Sequence, residues 1–166
     1  HLIHTINGQN ISFQMTPLGP NNLLQKPWDL EYGPDDYLWV TEREVGKVVR
    51  INPNTGERDD LLQIPQLLST SGQEGLLGMA LHPGLLQNSP FVYLSHTYLT
   101  SGQKKQKIVR YTYSVNGVDG SLDSAVDILV DLPASNDHNS GRLIYGPDDK
   151  LYYTIGELGG NQNSNY

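Results

Sequence analysis

A ten-residue stretch of this chain, Tyr32-Gly33-Pro34-Asp35-Asp36-Tyr37-Leu38-Trp39-Val40-Thr41, returns 113 residues later as Tyr145-Gly146-Pro147-Asp148-Asp149-Lys150-Leu151-Tyr152-Tyr153-Thr154, with seven of the ten positions identical. A looser third copy lies between them, where Leu81-His82-Pro83 and a turn lead into Phe91-Val92-Tyr93-Leu94-Ser95. Setting Leu38, Val92 and Leu151 in register gives spacings of 54 and 59 residues, so the long offset is two periods of a shorter unit. That unit is about as long as a propeller blade, close to the roughly 40 to 50 residues of familiar blade repeats.

The stretches between the copies agree with this. Apolar runs are short and rich in β-branched and aromatic residues, as at 48–51, 108–113 and 128–132, and turn clusters such as Asn52-Pro53-Asn54-Thr55-Gly56 and Asn116-Gly117 separate them. Such runs read as strands. Only 65–69 and 84–87 could form short helical pieces, so the chain is expected to be all-β. Strands are expected at 27–32, 37–42, 47–52 and 58–64 in blade 1 (about 27–64), and at 75–81, 91–97, 107–114 and 125–132 in blade 2 (about 75–132). A partial blade 3 (about 141–166) would contribute strands at 143–145 and 151–155. Residues 2–6 and 11–15 are weaker strand candidates that could close the last blade as an outer strand.

About two and a half blades cannot close a ring that normally needs about four to eight. If each bare blade face forgoes on the order of 400 Å² of apolar contact, the loss is on the order of 10 kcal/mol per face. The expectation is therefore the N-terminal part of a larger propeller that does not fold as these residues alone. A start at His1 rather than Met fits removal of a preceding segment, and the polar run 161–166 is a natural site of cleavage.

Net charge is −7, from 11 basic and 18 acidic side chains, with no basic cluster beyond Lys104-Lys105-Gln106-Lys107, which argues against nucleic acid as a partner. No apolar run approaches the about 20 residues of a membrane-spanning helix. Cysteine is absent, which removes disulfides, thiolate metal sites and cysteine nucleophiles.

Three polar stretches flank the innermost strands, where propeller loops face the central axis: 71–75, 135–142 and 156–162. Asp137-His138 supplies the side chain whose ordinary pKa, about 6.5, suits proton abstraction near neutral pH. Glu157 could hold that imidazole in one tautomer, and Gln73 and Gln162 are two-sided hydrogen-bonding groups suited to hydroxyl-rich ligands. The same residue types also make an ordinary solvated turn. His82 before Pro83 reads as a turn residue and His96 as a strand-end residue. The pairs Asp35-Asp36 and Asp148-Asp149 follow Gly-Pro at equivalent repeat positions and read as turn formers rather than metal ligands.

In this order, residues 27–41, Glu42-Arg43 with Gly46-Lys47-Val48, Gly72-Gln73-Glu74-Gly75-Leu76-Leu77-Gly78, Asp137-His138-Asn139-Ser140-Gly141-Arg142 and Tyr152-Tyr153-Thr154-Ile155-Gly156 resemble the soluble pyrroloquinoline quinone (PQQ)-dependent glucose and aldose sugar dehydrogenases, a family of six-bladed propellers. The resemblance implies that His138 is the general base toward the anomeric hydroxyl of an aldose, that Glu157 supports it, and that Gln73, Asp137 and Gln162 contact the sugar. It also implies a lactone product, an external electron acceptor, and a periplasmic or secreted location. PQQ and calcium are implied as cofactors, with their main ligands outside this stretch. The best-known members carry Asp where this chain has Glu157, which places its carboxylate about 1 Å further along the side chain and bears on rate and sugar preference. Two other readings stay open: a propeller that binds carbohydrate or protein without redox chemistry, and a calcium-dependent lactonase-type hydrolase.

Overall fold

The computed structural model describes residues 15–70 and 72–160 in full, and the backbone of 2–6 and 9–13. Its strands are β1 (Leu2–Ile6), β2 (Gln9–Phe13), β3 (Pro27–Tyr32), β4 (Leu38–Glu42), β5 (Lys47–Ile51), β6 (Arg58–Gln63), β7 (Leu76–Leu81), β8 (Phe91–Thr100), β9 (Gln103–Asn116), β10 (Asp119–Pro133), β11 (Ser140–Tyr145) and β12 (Leu151–Ile155). No helix occurs among the described residues, so none there is long and apolar enough to cross a membrane.

The sequence repeat is a repeat of hydrogen bonds. Gly33 N donates to Tyr37 O at 2.8 Å and Gly146 N to Lys150 O at 2.7 Å, while Asp36 (φ 62°) and Asp149 (φ 59°) take the same left-handed corner. Asp35 accepts from Trp39 Nε1 at 2.9 Å, and Asp148 accepts from Tyr152 Oη, at the matching position, at 2.9 Å. The looser copy closes similarly, with His82 N donating to Phe91 O at 3.0 Å. A turn that supplies its own acceptor and its own left-handed residue folds by local rules, which is why its copies are legible in the sequence.

Strands β3 to β6 form one antiparallel sheet in sequential order and β7 to β10 a second, while β11 pairs with β12 and β1 with β2. The first strands of the three larger units lie side by side, β7 between β3 and β11, and β6 approaches β10 at the outer edge. Sheets fanned in this way about their first strands are blades of a β-propeller. Because blades stack face to face, the inner strands of an interior sheet are covered on both faces. Trp39 and Val48 join Leu76, Met79, Val92 and Val109 in the core between the two larger sheets, while Val40 and Val49 pack on the opposite face with Leu18, Leu23 and Leu24. Ala80, Ile108 and Leu143 make the corresponding core between β7–β10 and β11–β12. This explains the unbroken apolar runs where a one-sided sheet would alternate. Trp28, Leu30 and Tyr32 on one outer face and Ile144 and Tyr152 on the other are exposed.

Polar clasps reinforce the stack. Buried Arg50 donates to Asp35 Oδ2 at 3.2 Å, Asp59 Oδ2 at 2.8 Å and Val118 O at 2.6 Å, and it also meets Tyr113 Oη. Near the axis, Asp29 Oδ2 accepts from Met79 N at 3.0 Å and Asp29 Oδ1 from Arg142 Nη1 at 2.9 Å, linking β3 to both β7 and β11.

Several expectations change. The segments at 65–69 and 84–87 are turns, with Leu85 N donating to His82 O and Gln87 N to Gly84 O, both at 2.9 Å; so short a piece cannot offset the cost of helix nucleation. The second N-terminal strand is Gln9–Phe13 rather than 11–15, and it pairs with β1 in a hairpin of its own. Strands β9 and β10 run well past their apolar centres, because the ladder between them continues through polar residues and absorbs three register shifts.

His96 is interior to β8 rather than at a strand end, and it is 3% exposed. Burial, with Lys107 nearby, pushes its pKa down from 6.5 to about 4, against the raising influence of Thr97 O and Asp127. The unfolded chain therefore takes up this proton as pH falls through 6.5 while the folded chain waits until about 4, so the contribution to stability is lost across that window. Glu31, pushed up from 4.5 to about 7 by burial, works in the opposite sense. Replacing His96 by Asn in the full-length protein is expected to cancel a loss on the order of 3 kcal/mol between pH 7 and pH 4. Chemical denaturation of parent and variant across that range checks this, and parallel stability curves would refute it.

Candidate functional site

The loop between β10 and β11, residues 134–139, is written in side chains that bond their own backbone. Ser135 Oγ donates to Asp137 O at 2.6 Å and accepts from Asp137 N at 3.1 Å. Asn139, fully buried, accepts from Ser135 N at 2.9 Å and donates to Ser135 O at 2.8 Å and Gln73 O at 3.2 Å. These bonds hold His138 at φ 52°, a left-handed conformation that a residue with a Cβ keeps only where its surroundings impose it.

The loop between β6 and β7 docks against it. Gln73 N donates to Asn136 O at 2.7 Å, and Gln73 Oε1 accepts from His138 N at 2.9 Å. Arg43, in the β4–β5 turn, clamps the chain on either side of Gln73 by donating to Gly72 O at 2.5 Å and Glu74 O at 2.9 Å. The segment after β12 forms the third wall. Gly156 N donates to Asn139 O at 3.2 Å, and a Cβ on Gly156 would stand 1.8 Å from His138 O, so this position admits only glycine without displacing the loop.

That close approach brings Glu157 to the ring of His138, where its Oε1 meets Nδ1. Sequence spacing could not show that the longer acid spans the gap. A carboxylate at Nδ1 favours the tautomer protonated there, which leaves the Nε2 lone pair to accept a proton, and it stabilises the imidazolium formed. The His138 side chain is 52% exposed and that of Glu157 19%, so the imidazole is open while its carboxylate partner is sheltered. Asp137 is exposed, with Oδ1 beside Gly72.

Of the residues singled out from sequence, Gln73, Asp137, His138 and Glu157 meet in one place, while Gln162 lies outside the described residues. His82 serves its turn, accepting from Gly84 N at 2.9 Å, and its other ring nitrogen lies 3.2 Å from Tyr145 Oη. Asn139, Arg43, Glu74 and Lys104 organise the site without having been picked out as functional. Only Asn139 carried a local signal, as an amide with donor and acceptor inside a loop of short polar side chains. Among the described residues no group of three or more His, Cys, Asp and Glu side chains could hold a metal ion.

Residues 24–165 match the family model described as Glucose / Sorbosone dehydrogenase. The chain is 42% identical over 144 residues to quinoprotein glucose dehydrogenase B of Acinetobacter calcoaceticus, covering 84% of this chain and 30% of that protein. An uncharacterized protein of Synechocystis sp. is 26% identical over 148 residues, covering 83% of this chain and 34% of the relative. The solved PQQ-bound form of an aldose sugar dehydrogenase from Streptomyces coelicolor superposes with a TM-score of 0.73 at 33% identity, over 82% of this chain and 39% of that one. The chain thus spans about a third of the length of the relatives it matches. With this match along nearly its whole length and a propeller architecture shared with its solved relative, the chain belongs to the glucose/sorbosone dehydrogenase family.

Proposed function

We propose that the protein containing this chain oxidises an aldose sugar to its lactone in a PQQ-dependent reaction, with His138 as the general base. The observation that carries this is the His138–Glu157 pair, held open beside Gln73 in a member of a sugar-dehydrogenase family. His138 Nε2 takes the proton of the anomeric hydroxyl, and Glu157 accepts from Nδ1–H and stabilises the imidazolium as it forms. Gln73 spends its side-chain oxygen on His138 N, which leaves its amide nitrogen to donate to a sugar hydroxyl. Asp137 accepts from the same ligand, and Gln162 completes the contacts.

When bound, PQQ supplies the two-electron acceptor that the protein side chains lack. The described residues do not build its cradle: Arg43 is bonded to two backbone carbonyls, Lys104 to Glu74 and Arg142 to Asp29, and no metal cluster is present among them. The holders of the quinone and of calcium belong to the rest of the protein, a six-bladed propeller to which this stretch contributes the proton-accepting side. The 166-residue stretch alone is accordingly inactive. With PQQ bound, an external acceptor would take up the electrons, and the setting is periplasmic or secreted.

The test is reconstitution of the full-length protein with PQQ and calcium, followed by dye reduction with a panel of aldoses. Activity should require PQQ and yield the lactone. Bound PQQ with no aldose-dependent dye reduction would overturn the proposal.

A further inference from the structure

Lys104 stands at the start of β9, just past the Ser101-Gly102 turn, in the sheet between the two parts of the chain that meet at the His138–Glu157 pair and the β3–β6 sheet. Its ammonium bonds oxygens from two different loops, Glu74 Oε1 and Asn136 Oδ1. Glu74 follows Gln73 directly, and Asn136 is two residues ahead of His138. The Glu74 side chain is fully buried and that of Lys104 is 32% exposed. The second Glu74 oxygen accepts from Thr70 N at 2.8 Å and Thr70 Oγ1 at 2.7 Å. Glu74 is thus anchored on its own loop, and Lys104 on β9, where it pairs with Leu99 of β8.

We propose that Lys104 is a positioning residue for the base, setting the separation between the Gln73 loop and the His138 loop. The proposal rests on the function proposed above. An ammonium carries three donors and no acceptor, so it can join two oxygens of separate segments. Fixed to a strand, it holds both loops against one rigid element. The bond from His138 N to Gln73 Oε1 spans the two loops, and a left-handed His138 depends on that neighbour staying in place. A displacement of about 1 Å in a group that must meet a reacting hydroxyl lowers the rate by about a hundredfold.

The experiment compares full-length parent, Lys104→Met, Lys104→Arg, and the double variant Lys104→Met with Glu74→Gln, in which the buried carboxylate is neutralised so that folding is preserved. With PQQ and calcium bound, kcat for aldose oxidation should fall about 10- to 100-fold in the methionine and double variants, while KM changes less than about threefold. Lys104→Arg, which keeps a cation within reach of both oxygens, should stay within about threefold of the parent. In the cofactor-free proteins, amide hydrogen exchange over 135–139 should quicken at least about tenfold in the methionine and double variants, while β8 and β9 hold their protection. Unchanged exchange in the double variant, unchanged kcat, or an arginine variant indistinguishable from the methionine one overturns the assignment. A parent that binds PQQ but oxidises no aldose removes the proposed function instead, and hydrogen exchange then decides by itself whether Lys104 holds the loop.

Discussion

Replacing His138 by alanine in the full-length protein, loaded with PQQ and calcium, is expected to lower kcat for aldose oxidation by about 10²- to 10⁴-fold, the usual worth of a positioned general base. The loss should fall on kcat with little change in KM, because the imidazole acts on the proton in flight rather than on the bound sugar. Glu157 separates orientation from proton transfer. Glu157→Gln keeps the size of the side chain but can offer Nδ1 an amide donor, which selects the tautomer with its hydrogen on Nε2, where the proton must be received. Its kcat should drop by about 10²-fold or more. Glu157→Asp keeps the charge on a shorter arm and should stay within about tenfold of the parent. Steady-state kinetics of the three variants, with PQQ binding confirmed for each, check these values. Retention of most activity in His138→Ala would remove the imidazole from the chemistry.

Gly78→Ala should strongly disrupt the packing of one blade on the next. Gly78 lies on β7 where that strand meets β11, and a Cβ there would stand 2.0 Å from Gly141 O and 2.9 Å from Leu143 N. Both are backbone atoms and cannot swing aside. Ser95 Oγ accepts from Gly78 N at 3.0 Å and donates to Gly141 O at 2.6 Å, so the same methyl would wedge open a buried clasp joining three strands. Overpacking of this kind costs about 3 kcal/mol or more. Because β11 begins directly after the His138 loop, activity should be lost along with stability. Gly84→Ala is the comparison, since its Cβ would have no neighbour nearer than 3.3 Å, and it should shift stability by less than about 1 kcal/mol. Thermal and denaturant unfolding of the two full-length variants measures the difference, and similar midpoints would refute the argument.

How far the sequence could be read followed the range of the interactions. The Gly-Pro-Asp-Asp corners close within five residues and were visible as repeats, and the short apolar runs of β4, β5 and β8 were visible as strands. The ends of β9 and β10 were not visible. Gln103-Lys104-Lys105-Gln106 has no apolar pattern, and it is strand because the partner strand continues beside it. The short helical pieces failed for the reverse reason, since local preference without packing does not sustain a helix.

The site divides along the same line. His138, Asp137, Gln73 and Glu157 could be picked out by their chemistry and by resemblance, but Glu157 is 19 residues from His138 and Gln73 is 65 residues away. The cross-links that hold them were silent. Lys104 reads as a member of a basic run, Glu74 as a loop acid and Asn139 as one more polar residue, until folding sets them on one another across 30 to 66 positions. Local backbone rules and the repeat of a turn were enough to determine, from the sequence by itself, an all-β chain of propeller blades, while His138 stood out as a candidate base through its chemistry and a family resemblance. Which oxygen meets that imidazole, and which lysine ties its loop to the next, depends on contacts between segments distant in the chain, and only the tertiary structure decided it.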